Sequence, residues 1–353
     1  MQYKGQYKVF DNSRVKTYSI VGRKNKCLLK DFINLDELVK KDIIFPKEEI
    51  SEVAKAIVNA YRDKKPVIVI TGAHLIKNGM SPIFLDWMKR GVIRLIGANG
   101  AVVIHDFEYG MLGETSEDVR GVLARGEFGM AFETCGYINQ AIIEGNKLKL
   151  GYGESIGKLY WDKGFRKKVI DNALRGVEEP ERYIRPYDGF KYSEASVVAM
   201  AYKLKIPFTV HVTIGTDIVD QHYNFDGEAI GGTSGRDFLI FTEVISELVD
   251  GGVILNIGSA VTGPEVLLKA ISMTANIGRV PNKIICADFD MRPLSTDNEA
   301  RDENKYHYYF RDQKSVATRI PKVFNGKGYY IEGDHRLTLL SLYQYFFKYL
   351  SRL

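Results

Sequence analysis

Pro66-Val67-Ile68-Val69-Ile70-Thr71-Gly72-Ala73-His74 decides the fold, together with Val92-Ile93-Arg94-Leu95-Ile96-Gly97-Ala98-Asn99-Gly100-Ala101 further on. Each apolar run is too short for a buried helix and rich in β-branched residues, so each reads as a strand buried on both faces. Between them Leu85, Trp87 and Met88 fall in a helical pattern, which makes the whole a βαβ unit. Both strands then deliver small-residue loops to one edge of a parallel sheet. Open α/β sheets bind ligands at that carboxyl edge, where loops present backbone amides and helix N-termini that suit anions.

Similar runs follow at Ile206–Val212, Gly252–Ile257 and Lys283–Asp288, with further strands expected at Val316–Ile320 and Gly328–Ile331. Helical patterns open near Ile50 and run over Glu133–Glu144, Phe238–Leu248, Val266–Met273 and Leu337–Leu350. Thr115 or Ser116 reads as the N-cap of another helix, and Gly231–Asp237 as a flexible loop. Residues 1–45 form an expected arm, with a short strand at Arg14–Ile20. Residues 46–353 form a single α/β nucleotide-binding domain, with an irregular excursion at 145–190. The fold class is therefore α/β, a Rossmann-like three-layer α/β/α arrangement around a mostly parallel sheet.

Composition bounds the function. The chain has 353 residues, 45% hydrophobic and 26% charged, which is ordinary for a globular protein. A net charge of +5 with no dense basic run interleaved with aromatics gives no sign of a nucleic-acid partner. Cys27, Cys135 and Cys286 are widely spaced, as expected for free thiols in a reducing compartment rather than a zinc ribbon or disulfide scaffold. No run is long enough to span a bilayer, so a cytoplasmic location without a membrane partner is expected.

Three groups of residues could carry chemistry. The first is the set of strand-end loops, Thr71-Gly72-Ala73, Asn99-Gly100-Ala101 and Gly258-Ser259-Ala260, with Asp288 closing its own strand. Such loops let a dinucleotide's phosphates approach the backbone, and a strand-terminal Asp can accept from ribose hydroxyls. No GxGxxG follows a strand. The second is Asp217, Asp220 and His222 with His211 upstream, which could hold a divalent metal or a cationic substrate. The third is His105-Asp106 with Glu108, a possible base and its orienting partner. His74 sits in the first loop, facing any ligand there. Lys314 neighbours the aromatic run Tyr306–Phe310, which could desolvate its amine and depress its pKa.

The run Thr71-Gly72-Ala73-His74-Leu75-Ile76-Lys77-Asn78-Gly79, then Ala98-Asn99-Gly100-Ala101 and His105-Asp106-Phe107-Glu108, resembles the core of deoxyhypusine synthase. More loosely, the resemblance extends through Ile206–Asp220, Gly258-Ser259-Ala260 and Asp288-Phe289-Asp290 to Asp297. It implies NAD at the strand ends, a homo-oligomer (dimer or tetramer), and chemistry in which NAD oxidises an amine and an enzyme lysine captures the product. Lys314 is a rough positional match for that lysine, while the family's Lys-His-His run is replaced by Thr262-Gly263-Pro264-Glu265. His74 and His105 are additions to the family pattern.

The resulting expectation is an NAD-dependent transferase or oxidoreductase acting on a small amine-bearing substrate. In it His74, His105 and Lys314 are catalytic, the three loops and Asp288 hold the cofactor, and Asp106, Glu108, Asp217, Asp220 and His222 face the substrate. Two alternatives stand beside it: a metal-assisted hydrolase using Asp217, Asp220, His222 and His74, and a nucleotide-binding protein without turnover.

Overall fold

A computed structural model describes residues 4–294 and 315–352. Eight strands are present among them: β1 (Asn25–Leu28), β2 (Val67–Thr71), β3 (Leu95–Ala98), β4 (Glu114–Glu117), β5 (Phe208–Val210), β6 (Gly252–Ile257), β7 (Ile284–Asp290) and β8 (Lys327–Glu332). Six form one sheet in the order β5-β3-β2-β6-β7-β8, and every neighbouring pair is parallel. Numbered by their appearance in this sheet, they run 3-2-1-4-5-6, the strand order of doubly wound dinucleotide-binding folds. The order reverses between β2 and β6.

The sheet is buried on both sides because its strands alternate between two apolar layers. Val67 and Val69 of β2, with Val253 and Leu255 of β6, face a large cluster that includes helices Glu48–Arg62 and His335–Leu350. Ile68, Ile70 and Ile254 face a second cluster built from helices Gly227–Ile245 and Thr262–Asn276. Unbroken apolar runs in the sequence therefore mark central strands, each residue having a core to enter whichever way it points.

The N-terminal residues lie on their own domain. Gln344, buried in helix His335–Leu350, donates to the carbonyls of Leu38, Lys41 and Asp42 and accepts from the amide of Ile44. Arg23 reaches inward to Glu108, Nη2 to Oε2 at 2.7 Å, and Ile20 N donates to Glu133.

Several local expectations are corrected. Arg14–Ile20 makes only an isolated bridge at Tyr18, and the strand of this region is β1, paired antiparallel with β4. Thr115 and Ser116 lie in β4 rather than capping a helix. Gly231–Asp237 is no loop but the middle of helix Gly227–Ile245, where Asp226 caps the N-terminus by accepting from Glu228 and Ala229 amides. The 145–190 stretch holds two helices, Tyr152–Trp161 and Lys163–Ala173, which bury Ile156, Leu159, Val169 and Ile170. Ser315–Arg319 is a π-helical turn where a strand was expected, and its β-branched pattern enters the second apolar layer through Val316 and Ile320. No helix among the described residues is long and apolar enough to cross a membrane.

Candidate functional site

The loops leaving β2 and β6 meet where the strand order reverses. Gly72 N donates to the carbonyl of Ile257, and Gly258 N to that of Phe289, so the ladder continues one residue past each strand. A methyl added at Gly72 would overlap the Gly258 carbonyl oxygen. Gly258 has φ +67°, and a methyl there would sit 2.9 Å from Cε1 of His335. Glycine is required at both positions by the close approach, and at Gly258 also by the left-handed backbone.

Beyond Gly258 the chain passes through Ser259, Ala260 and Val261 into the 15-residue helix Thr262–Asn276. Ser259 Oγ accepts from the Gly263 amide at 3.0 Å. Gly263 packs so tightly on Ile70 that any side chain there would overlap it, which holds the helix start against the central strand. On the neighbouring strand end, Asn99 caps helix Gly100–Leu112 by accepting from Val102 N, with Ala101 in the first turn.

Three of the twelve buried polar atoms without a hydrogen-bond partner among the described residues lie at this rim. Asn256 Nδ2 donates to Asp288 Oδ1 and to the Ser259 carbonyl, both at 2.9 Å, yet Asn256 Oδ1 and Asp288 Oδ2 have none. Asp288 is 0% exposed, and burial pushes its carboxyl well above the ordinary range despite the Asn256 bond. His335, 4% exposed, bonds through Nε2 to the Phe289 carbonyl at 3.1 Å and has nothing on Nδ1. His74 is exposed nearby, its pKa lowered by partial desolvation and then by the adjacent His335. Native interiors leave few such groups unsatisfied, so a cluster of them calls for an explanation.

The structure brings together Thr71, Gly72, Ala73, His74, Gly258, Ser259, Ala260 and Asp288, and the Asn99-Gly100-Ala101 loop follows β3 on the same edge. Asp217 stands over that third loop: its Oδ2 occupies the space a Gly100 side chain would need. Burial, with Asp220 beside it, pushes Asp217 up to about 6. Asp220 accepts from the amides of Gly215 and Asp217, which fixes the loop.

Helix Gly100–Leu112 carries Asp106 and Glu108 of the third group into the core and leaves His105 partly exposed. Asp106 accepts from Ser196 Oγ and from the amides of Val197 and Val198, capping helix Val197–Lys203. Glu108 pairs with Arg23 and accepts from Thr115 and Thr134 hydroxyls at 2.5 and 2.8 Å. Since the Thr115 proton goes to Glu108, His105 Nδ1 must donate to Thr115 Oγ1, 2.8 Å away. Burial holds that imidazole near pKa 4. His222 is also buried, with Nδ1 on Asn224 at 2.7 Å, and His211 bonds Thr209 at 3.1 Å. Among the described residues no three His, Cys, Asp or Glu side chains converge on a possible metal position, so Asp217, Asp220 and His222 do not form the centre a metal-assisted hydrolase requires. Lys314, the run Tyr306–Phe310 and Asp297 lie outside the described residues.

Sequence reading missed His335, Asn256 and Gly263. Gly333-Asp334-His335 was readable as a cap, with Asp334 accepting from Arg336 N at 2.8 Å, but the helix was expected only from Leu337.

Two cavities lie elsewhere. One of about 600 Å³ lies along β5 between Trp161, Tyr202 and Ile240, and its buried carboxylate, Asp237, is committed to the Gly153 and Val210 amides. The other, about 690 Å³, lies between Tyr18, Arg23 and Arg125 and is crossed by the Arg125–Glu127 ion pair.

No family model matches the chain, and no curated protein does. Among solved structures, ArgZ, an arginine dihydrolase from the ornithine-ammonia cycle in cyanobacteria, aligns at 17% identity and TM-score 0.42 over 86% of this chain and 31% of its own. The complex of AgrE with ornithine and NAD+ aligns at 13% and 0.44 over 91% and 35%. A conserved LOR/SDH protein from Methanococcus maripaludis S2 aligns at 14% and 0.42 over 87% and 70%. This chain thus spans about a third of the first two, and likenesses this distant carry no functional assignment. They do not show the deoxyhypusine synthase resemblance.

Proposed function

We propose that the chain is an NAD-dependent enzyme acting on a small amine-bearing substrate, of the deoxyhypusine synthase-like kind its sequence resembles. The observation that carries this reading is the contact of Gly72 with Gly258 where the strand order reverses from β2 to β6. Such a reversal opens a crevice beyond the strand ends, and side-chain-free loops there let a pyrophosphate approach the backbone.

The residues present fit the cofactor. The start of helix Thr262–Asn276 would hold phosphates beside Gly72 and Gly258, whose own amides are bound to Ile257 and Phe289, and the unmet acceptor oxygens of Asn256 and Asp288 suit ribose hydroxyls, which donate to them. NAD, when bound, supplies a hydride acceptor. The protein's own part is to orient and to exclude water: Asp217 over Gly100 would take the substrate ammonium, since a cation beside it restores the ionised carboxylate that burial disfavours.

Calorimetry with NAD tests the reading. Binding in the micromolar to low-millimolar range is expected, and no heat at millimolar NAD would overturn it. Incubation with NAD and a panel of diamines and amino acids, followed by NADH absorbance, then separates an enzyme from a nucleotide-binding protein without turnover.

A further inference from the structure

His335 is the buried ionisable group at this rim whose chemistry the geometry defines most tightly. Its Nε2 lies 3.1 Å from the Phe289 carbonyl oxygen, which can only accept, so Nε2 carries the proton. In the neutral ring Nδ1 is then a bare lone pair. It has no partner, although the residue is 4% exposed and close beside Gly258.

The same carbonyl also accepts from the Gly258 amide, so one oxygen fixes both the ring and the glycine turn. Gly258 is without a side chain where the imidazole stands, and a methyl at that glycine would lie 3.5 Å from Nδ1. A buried acceptor without a partner beside the glycine turn offers a place for a ligand's donor.

We propose that His335 is a ligand-binding residue of the crevice, presenting Nδ1 as the acceptor for a hydroxyl of a ribose held over Gly258. The inference rests on the cofactor reading above and names a contact that reading does not require. The bond to Phe289 sets the tautomer, and the tautomer sets the polarity of recognition: a donor is taken at this point and an acceptor refused. A hydroxyl of NAD, or of ADP-ribose, satisfies it.

The test combines nitrogen NMR with a substitution that separates the two ring atoms. In protein labelled with ¹⁵N-histidine, the His335 signals, identified by their loss in His335→Gln, should show a protonated Nε2 and a bare Nδ1. Adding NAD should move the Nδ1 resonance upfield as it accepts a hydrogen bond. In His335→Gln the side-chain amide keeps a donor for the Phe289 carbonyl, while its acceptor oxygen is displaced from the Nδ1 position. That variant should keep its melting temperature and bind NAD about tenfold more weakly, the equivalent of about 1.4 kcal/mol. ADP-ribose should show the same loss if the contact is to a ribose. NAD binding with an unmoved Nδ1 and equal affinity in the variant would overturn this inference alone. Absence of NAD binding to the unsubstituted protein would overturn the cofactor reading and this contact with it.

Discussion

Replacing Arg23 by Met should destabilise the protein by about 3–5 kcal/mol, because it leaves the Glu108 carboxylate buried without its countercharge. The side chains are 6% and 2% exposed and 2.7 Å apart, so water cannot take over the lost role. Two hydroxyls, from Thr115 and Thr134, remain on Glu108 and limit the damage. Burial alone pushes the Glu108 carboxyl up, and Arg23 with the Thr115 hydroxyl more than reverses this, holding it below the ordinary range. In the native protein the folded pKa is therefore depressed: the stability from Glu108 is complete above the unfolded carboxyl's pKa and is lost as pH falls through the folded value. In Arg23→Met the folded pKa is raised instead, so the folded state takes up a proton more readily than the unfolded chain. The deficit of the variant should consequently shrink as pH is lowered from about 7 towards 5. Urea unfolding followed by tryptophan fluorescence, at several pH values, measures the difference, with Glu108→Gln and the double variant completing the cycle. The double variant should be more stable than the sum of the single losses predicts, since neither charge is then buried alone. A loss under about 1 kcal/mol, or a deficit that does not vary with pH, would refute the argument that this pair ties the N-terminal residues to the core.

Other substitutions probe the fold and the rim. Gly72→Ala should cost about 1–3 kcal/mol, from overlap with the Gly258 carbonyl, and should weaken NAD binding in calorimetry. Gly235→Ala, in open space inside helix Gly227–Ile245, should stabilise by about 0.5–1 kcal/mol in the same urea assay. Burial pushes Asp237 up to about 7 in spite of its backbone bonds, so the folded state holds a proton the unfolded chain gives up, and stability from this group falls as pH rises from about 4 to about 7. Asp237→Asn, which keeps an oxygen for Gly153 and Val210, should remove that slope from melting temperature against pH.

The central strands were legible because fully buried parallel strands leave a signal that needs no partner to interpret: Val67–Ile70 and Val253–Ile257 are apolar at every position except Asn256. The glycine tips were legible for a related reason, since a strand end followed by glycine has few uses. Gly231-Gly232-Thr233-Ser234-Gly235 misled because local preference against helix is weak, and tertiary packing of Phe241, Val244 and Ile245 on the sheet overrides it. The acidic groups misled for the opposite reason. Asp106 and Glu108 look functional beside His105, but only the fold reveals that Ser196 and Arg23 arrive from distant positions to satisfy them. His335 was invisible because its role depends on a carbonyl 46 residues away.

The reversal of strand order between β2 and β6 also bears on how the chain matures. β2 can pair with β3 soon after both leave the ribosome, but its other flank waits for Gly252–Ile257, with some 150 residues of intervening helices and edge strand made in the meantime. During that interval the most apolar strand of the molecule has one edge open, a template for pairing with another nascent copy. Synthesis rate and chaperone capture should therefore govern the yield of this protein more than its final stability does.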